Sequence, residues 1–123
     1  RHNVITHANL VSLRVDESLY FANASYLEDQ VYRLIADTPE LEHVILQCTA
    51  INEIDMSALE ALEAINHRLS EQDISLNLSE VKGPVMDALH RTDFLEHISG
   101  RVFLTHHQAV EALKRQEIEP YII

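Results

Sequence analysis

The residues best placed to do chemistry sit together at Asp55-Met56-Ser57, where a short polar turn runs into a helical pattern. An acid and a hydroxyl two residues apart at a helix start have two uses. Either oxygen can cap the helix by accepting from an unpaired backbone N–H. Alternatively, Ser57 can carry a phosphate, whose charge the free N–H groups and the helix dipole would favour. Capping is the stronger reading. Ser57 and Glu60 spell a Ser-x-x-Glu capping box, Asp55 can cap the same end from earlier in the chain, and both acids would repel a phosphate.

Other reactive residue types form no constellation. The histidines, at positions 2, 7, 43, 67, 90, 97, 106 and 107, contain no His-x-His and no helical i, i+4 pair, so no metal site is expected and they read as surface residues. His67 lies four residues after Glu63 and reads as its surface partner. Cys48 falls in an apolar run and reads as a small buried hydrophobe in a reducing compartment. Ser57 has no histidine in a nucleophile motif, and no Gly-rich loop is present to cradle a nucleotide phosphate. The expectation is no catalysis and no cofactor.

Positioning these residues requires a strand before the turn and a helix after it. Val44 to Cys48 is nearly all apolar, as a central strand covered on both faces would be. Leu59, Leu62, Ile65 and Leu69 then recur at spacings of three and four, one buried stripe, with Glu60, Glu63, His67 and Glu71 off it. Upstream, Leu10–Val15 reads as a strand, Asp16-Glu17-Ser18 as a turn, and Leu19-Tyr20-Phe21 as a second short strand pairing antiparallel with the first. A first helix should open near Asn23 or Ser25, with a Ser25–Glu28 box, a stripe of Leu27, Val31, Leu34 and Ile35, and an end at Asp37-Thr38-Pro39.

Downstream, Ile74 to Leu78 alternates strictly, predicting a strand with one covered face. Gly83-Pro84 opens a short helix carrying Val85, Met86 and Leu89. Phe94, Leu95 and Ile98 continue through a turn-like stretch closed by Gly100, and Val102-Phe103-Leu104 is a last strand. Thr105 and Gln108 box the start of a final helix with Val110 and Leu113 inward. Alternating strands and helices imply crossover connections and parallel pairs, so the fold class is α/β with a mixed sheet.

The 123 residues suit one domain, large enough for a core without disulfide or metal. Twenty acidic against nine basic residues give a net charge of −11, which disfavours nucleic acid and anionic headgroups as partners. No stretch is long and apolar enough to be a transmembrane helix, so direct membrane insertion is not expected. The absence of an initiator Met fits a piece excised from a longer protein.

Two stretches carry a resemblance. Ile54-Asp55-Met56-Ser57-Ala58-Leu59 resembles the Asp-x-Ser/Thr-Gly/Ala turn of STAS domains, and Leu19-Tyr20-Phe21-Ala22-Asn23 resembles the entry to the first helix in the STAS domain that ends SulP-family anion transporters. The likeness implies a STAS-like mixed β-sheet over residues 9–115, with residues 1–8 as a lead-in from a preceding membrane domain and residues 116–123 as a tail. It also implies a regulatory role beside an attached transmembrane domain for sulfate, bicarbonate or dicarboxylate, on the cytoplasmic side of the inner membrane. A further cytosolic protein is a second candidate partner. The exposed surface expected to dock is Asn52, Glu53, Met56 and Glu60 around Asp55 and Ser57. The alternative is a free-standing anti-sigma factor antagonist, a branch in which the serine matching Ser57 is phosphorylated. Met56 and Ala58 depart from the small and Gly residues common there.

Overall fold

A five-stranded sheet in the order β1-β2-β3-β4-β5 forms the centre of the molecule, seen in a computed structural model that describes residues 2–7 and 9–114. Strands β1 (His2–His7) and β2 (Leu10–Val15) pair antiparallel. Strands β2, β3 (His43–Gln47), β4 (Ser75–Ser79) and β5 (Val102–Phe103) run parallel, linked by helical crossovers. These crossovers are α1 (Phe21–Asp37), α2 (Met56–Glu71), and the short pair α3 (Gly83–His90) and α4 (Phe94–His97). Helix α5 (His106–Leu113) follows β5.

Strand alternation divides the core in two. Val11, Leu13 and Val15 of β2, Val44 and Leu46 of β3, and Leu76 and Leu78 of β4 join Leu27, Leu62, Ile65, Leu89 and Phe94 in the main core under α1 to α4. Leu10 and Ile45 point the other way and meet Ala109 of α5 in a much smaller cluster. The central position of β3 agrees with its apolar run, and Leu59, Leu62, Ile65 and Leu69 are all buried.

Several local readings need correction. Leu19 to Phe21 is not a strand: Leu19 makes a single parallel bridge to Ile54, and Phe21 already begins α1. The antiparallel partner of β2 is β1, whose sequence His-Asn-Val-Ile-Thr-His shows too little alternation to announce a strand. Helix α1 therefore starts before Ser25, and its end is closed by Asn23, whose Oδ1 accepts from the Tyr20 N–H at 2.7 Å. Leu34 and Ile35 are only half-buried, as are Met86, Val110 and Leu113, while Ala109 is the fully buried residue of α5.

Strand β4 is covered on both faces rather than one. Asn77 is fully buried; its Nδ2 donates to the Val44 carbonyl at 3.2 Å and its Oδ1 accepts from the Arg101 N–H at 2.8 Å. Gly100 permits this approach, since a Cβ there would lie 2.1 Å from Asn77 Oδ1. Strand β5 stops at Phe103, and Leu104 is 80% exposed. Two histidines leave the surface: His43 and His106 are half-buried against serines. His67 pairs with Glu71 at 3.7 Å, not with Glu63. The tail expected at 116–123 lies outside the described residues.

Candidate functional site

The turn between β3 and α2 is built by two segments about thirty residues apart in the chain. Leu19 donates to the Glu53 carbonyl at 3.0 Å, and Asp55 donates back to the Leu19 carbonyl at 3.2 Å. Ser18 Oγ accepts from the Asn52 and Glu53 N–H groups, each at 3.1 Å. Asn23 Nδ2 in turn donates to the Ser18 carbonyl, and the Tyr20 hydroxyl donates to Glu53 Oε2. That bond to Glu53 holds the Tyr20 phenol above its ordinary pKa. The entry to α1 and the entry to α2 are thus one hydrogen-bonded clasp.

Asp55 is the N-cap of α2. Its backbone is extended, and its Oδ1 accepts from the Ala58 N–H at 2.8 Å. Ser57 is the second helical residue, so the Ser57–Glu60 box does not form; the Ser57 side chain is exposed and makes no hydrogen bond among the described residues. The geometry follows from Ile54, whose bridge to Leu19 keeps the chain extended up to Asp55 and delays the helix by no further residue. Met56, at the first helical position, is 61% exposed. Asn52, Glu53 and Glu60 are exposed as well, and Asn52 Oδ1 accepts from Lys82 Nζ at 2.6 Å.

Two open grooves flank the start of α2. One, of about 360 Å³, is lined by Tyr20, Asn52, Glu53, Asp55 and Arg91 among others. The second, of about 400 Å³, is lined by Met56, Glu60, Glu63, Arg91 and Asp93 among others. Asn52, Glu53 and Asp55 line the first groove and Met56 and Glu60 the second, while Ser57 is exposed but lines neither. Arg91, at the end of α3, reaches both grooves, and nothing in its sequence context linked it to this turn. Ser18, Tyr20, Asn23 and Glu53 were each visible in the sequence, but the bonds that join them were not.

The surface holds carboxylates, an exposed hydroxyl and an exposed thioether, with Arg91 and Lys82 as cations. Among the described residues no group of three His, Cys, Asp or Glu side chains could hold a metal. Cys48 is buried nearby at the end of β3, and burial pushes its thiol up to about 12. This arrangement suits contact with another surface.

The comparisons with known proteins agree on the architecture. A model of the STAS domain family matches residues 2–109. The chain belongs to the STAS domain family. Sulfate transporter 3.2 of Arabidopsis thaliana is 31% identical over 118 residues, which cover 88% of this chain. The STAS chain spans only 18% of that relative's length. Among solved structures, an anti-sigma factor antagonist from Mycobacterium paratuberculosis superposes with a TM-score of 0.75 at 18% identity, covering 92% of each chain. The murine solute carrier 26 family member A9 anion transporter, in an inward-facing state, matches 88% of this chain with 18% of its own, at a TM-score of 0.74 and 19% identity. No described helix is long and apolar enough to cross a membrane.

Proposed function

We propose that this STAS domain is the cytosolic regulatory and protein-interaction domain of a SulP-type secondary anion transporter for sulfate, bicarbonate or dicarboxylate. The observation that carries the reading is the likeness to a sulfate transporter over 88% of this chain but 18% of the relative. Residues 9–115 would be the working unit together with strand β1, which completes their sheet, and residues 116–123 a connection. The domain itself neither transports nor catalyses. Tethering to a membrane domain keeps it at high effective concentration against the cytosolic face. Weak contacts then bias the transporter toward whichever conformation they favour, by the difference in contact energy between the two.

Asn52, Glu53, Asp55, Met56, Ser57 and Glu60 are the proposed docking surface, and the attached membrane domain is the first partner, with another cytosolic protein as the second. Transport by the full protein, reconstituted at matched density with and without residues 9–115, tests this. Regulation predicts changed uptake on deletion and on substitution of Met56 or Glu60. Equal uptake in all cases would leave only a folding role. The second reading, a phosphorylation-switched anti-sigma antagonist, rests on the exposed and unbonded Ser57 hydroxyl. Mass spectrometry finding substantial phosphate on Ser57 in protein from its native cells would favour it.

A further inference from the structure

Helix α5 is attached to the fold unlike the other helices. It covers the second face of the sheet over a cluster whose buried members, among the described residues, are Leu10, Ile45 and Ala109, with Phe103, Val110 and Leu113 half-buried around them. The segment before it passes through Leu104, which is 80% exposed and packs on neither cluster. Polar contacts supply much of the hold. His106 Nε2 lies 2.7 Å from Ser12 Oγ of β2, and His106 Nδ1 lies 2.9 Å from Ser79 Oγ of β4. One imidazole thus spans two strands across the face of β3. The His106 N–H donates to Glu80 Oε2 at 2.7 Å, and Asn9 Nδ2 donates to the Leu113 carbonyl at 2.9 Å.

We propose that α5 is an acid-released latch, closed by the Ser12–His106–Ser79 bridge and opened when the imidazole gains a second ring proton. With a neutral ring, one nitrogen donates and the other accepts a serine hydroxyl proton. Protonation turns both nitrogens into donors, and the serine that had donated must find a new acceptor. Ser12 is 4% exposed and Ser79 is fully buried, so water cannot readily serve. The cation would also sit at the first position of α5, where the positive end of the helix dipole opposes it.

Glu80, after β4, favours the cation, but burial outweighs it and lowers the His106 pKa. On the same side of the sheet lie Arg14 of β2, which is bonded to Asp16, His43 of β3 and Arg101 before β5; α5 itself carries His107, Glu111 and Lys114. His43 is also lowered, by burial first, with Glu42 opposing and Arg101 reinforcing. A lowered histidine favours the neutral ring in the folded state. The latch is therefore fully held above the ordinary histidine value and loosens as pH falls through it toward the folded value. Opening uncovers Leu10 and Ile45 and further exposes Phe103, an apolar strip across β2, β3 and β5.

The test is hydrogen–deuterium exchange on the 123-residue chain at about pH 7.5 and about pH 5.5, corrected for chemical exchange. The expected result is loss of protection in α5 relative to α2 at the lower pH in the wild type. His106→Gln should abolish that pH dependence, and His43→Gln should retain it. Equal relative protection of α5 at both pH values in the wild type, or an unchanged pH response in His106→Gln, overturns the latch. Should His106→Gln already be undocked at the higher pH, the wild-type His106 ring is titrated by NMR instead. A midpoint below the ordinary histidine value that tracks the loss of α5 protection supports the proposal, and one at or above it refutes it.

Discussion

Asp55→Ala removes the one side-chain bond that closes the N-terminus of α2, the 2.8 Å contact to the Ala58 N–H. Losing an N-cap acid costs about 1 kcal/mol. Losing its negative charge at the positive end of the helix adds about 0.3–1 kcal/mol. The sum is about 1–2 kcal/mol. Unfolding entropy of about 2.1 cal/mol/K per residue makes each kcal/mol worth about 4 °C at this chain length, so Tm should fall by about 4–8 °C. Asp55→Asn keeps the cap and loses the charge, and should fall by no more than half as much. Ser57→Ala removes a hydroxyl that bonds nothing among the described residues, and alanine is the better helix former. It should be neutral or raise Tm slightly. Thermal unfolding by circular dichroism with urea titrations of all three variants measures these differences. A Ser57→Ala loss equal to that of Asp55→Ala would refute the assignment of the cap, as would an Asp55→Ala change below about 0.3 kcal/mol.

Two further outcomes follow from the core. Gly100→Ala places a Cβ 2.1 Å from Asn77 Oδ1 and 2.4 Å from the Leu76 carbonyl, so it should cost at least about 1–3 kcal/mol in urea unfolding; a near-silent variant would show that the β4–Gly100 approach is looser than described. Cys48, with its thiol pushed up to about 12, should resist alkylation at about pH 8 in the folded chain and react once urea unfolds it. Rapid labelling of the native chain would contradict its burial.

The helices and the central strand were legible because apolar spacing reports burial directly. Leu59, Leu62, Ile65 and Leu69 could hardly face water together, and the unbroken run at β3 needed cover on both sides. What stayed hidden depends on partners distant in the chain. Asn77 takes a polar position of a strict alternation, which predicts an open face, yet it is fully buried because Val44, Ser75 and Arg101 meet its amide. His106 reads as a surface residue until two serines from separate strands are placed beside it. The same limit governed the turn. Ser57–Glu60 and Asp55 offered rival caps, and the choice was made by the Leu19–Ile54 bridge, which belongs to neither pattern.

That bridge also changes what the two recognised motifs mean. Read along the chain, the stretch around Tyr20 and the stretch around Asp55 are separate signatures about thirty residues apart. In the folded chain Ser18 binds the backbone of Asn52 and Glu53, Asn23 binds Ser18, and Tyr20 binds Glu53. A side chain that shapes the start of α1 therefore also shapes the surface beside α2. Ordering a loose loop on contact would use part of the contact energy, whereas a surface already held by backbone bonds keeps that energy for the partner. Under the proposed docking role this matters, because a tethered domain shifts a transporter only by the difference in contact energy between its conformations. A rigid clasp makes a small difference effective, and it ties Asn23, which lines neither groove, to the behaviour of the surface that Asp55 and Met56 present.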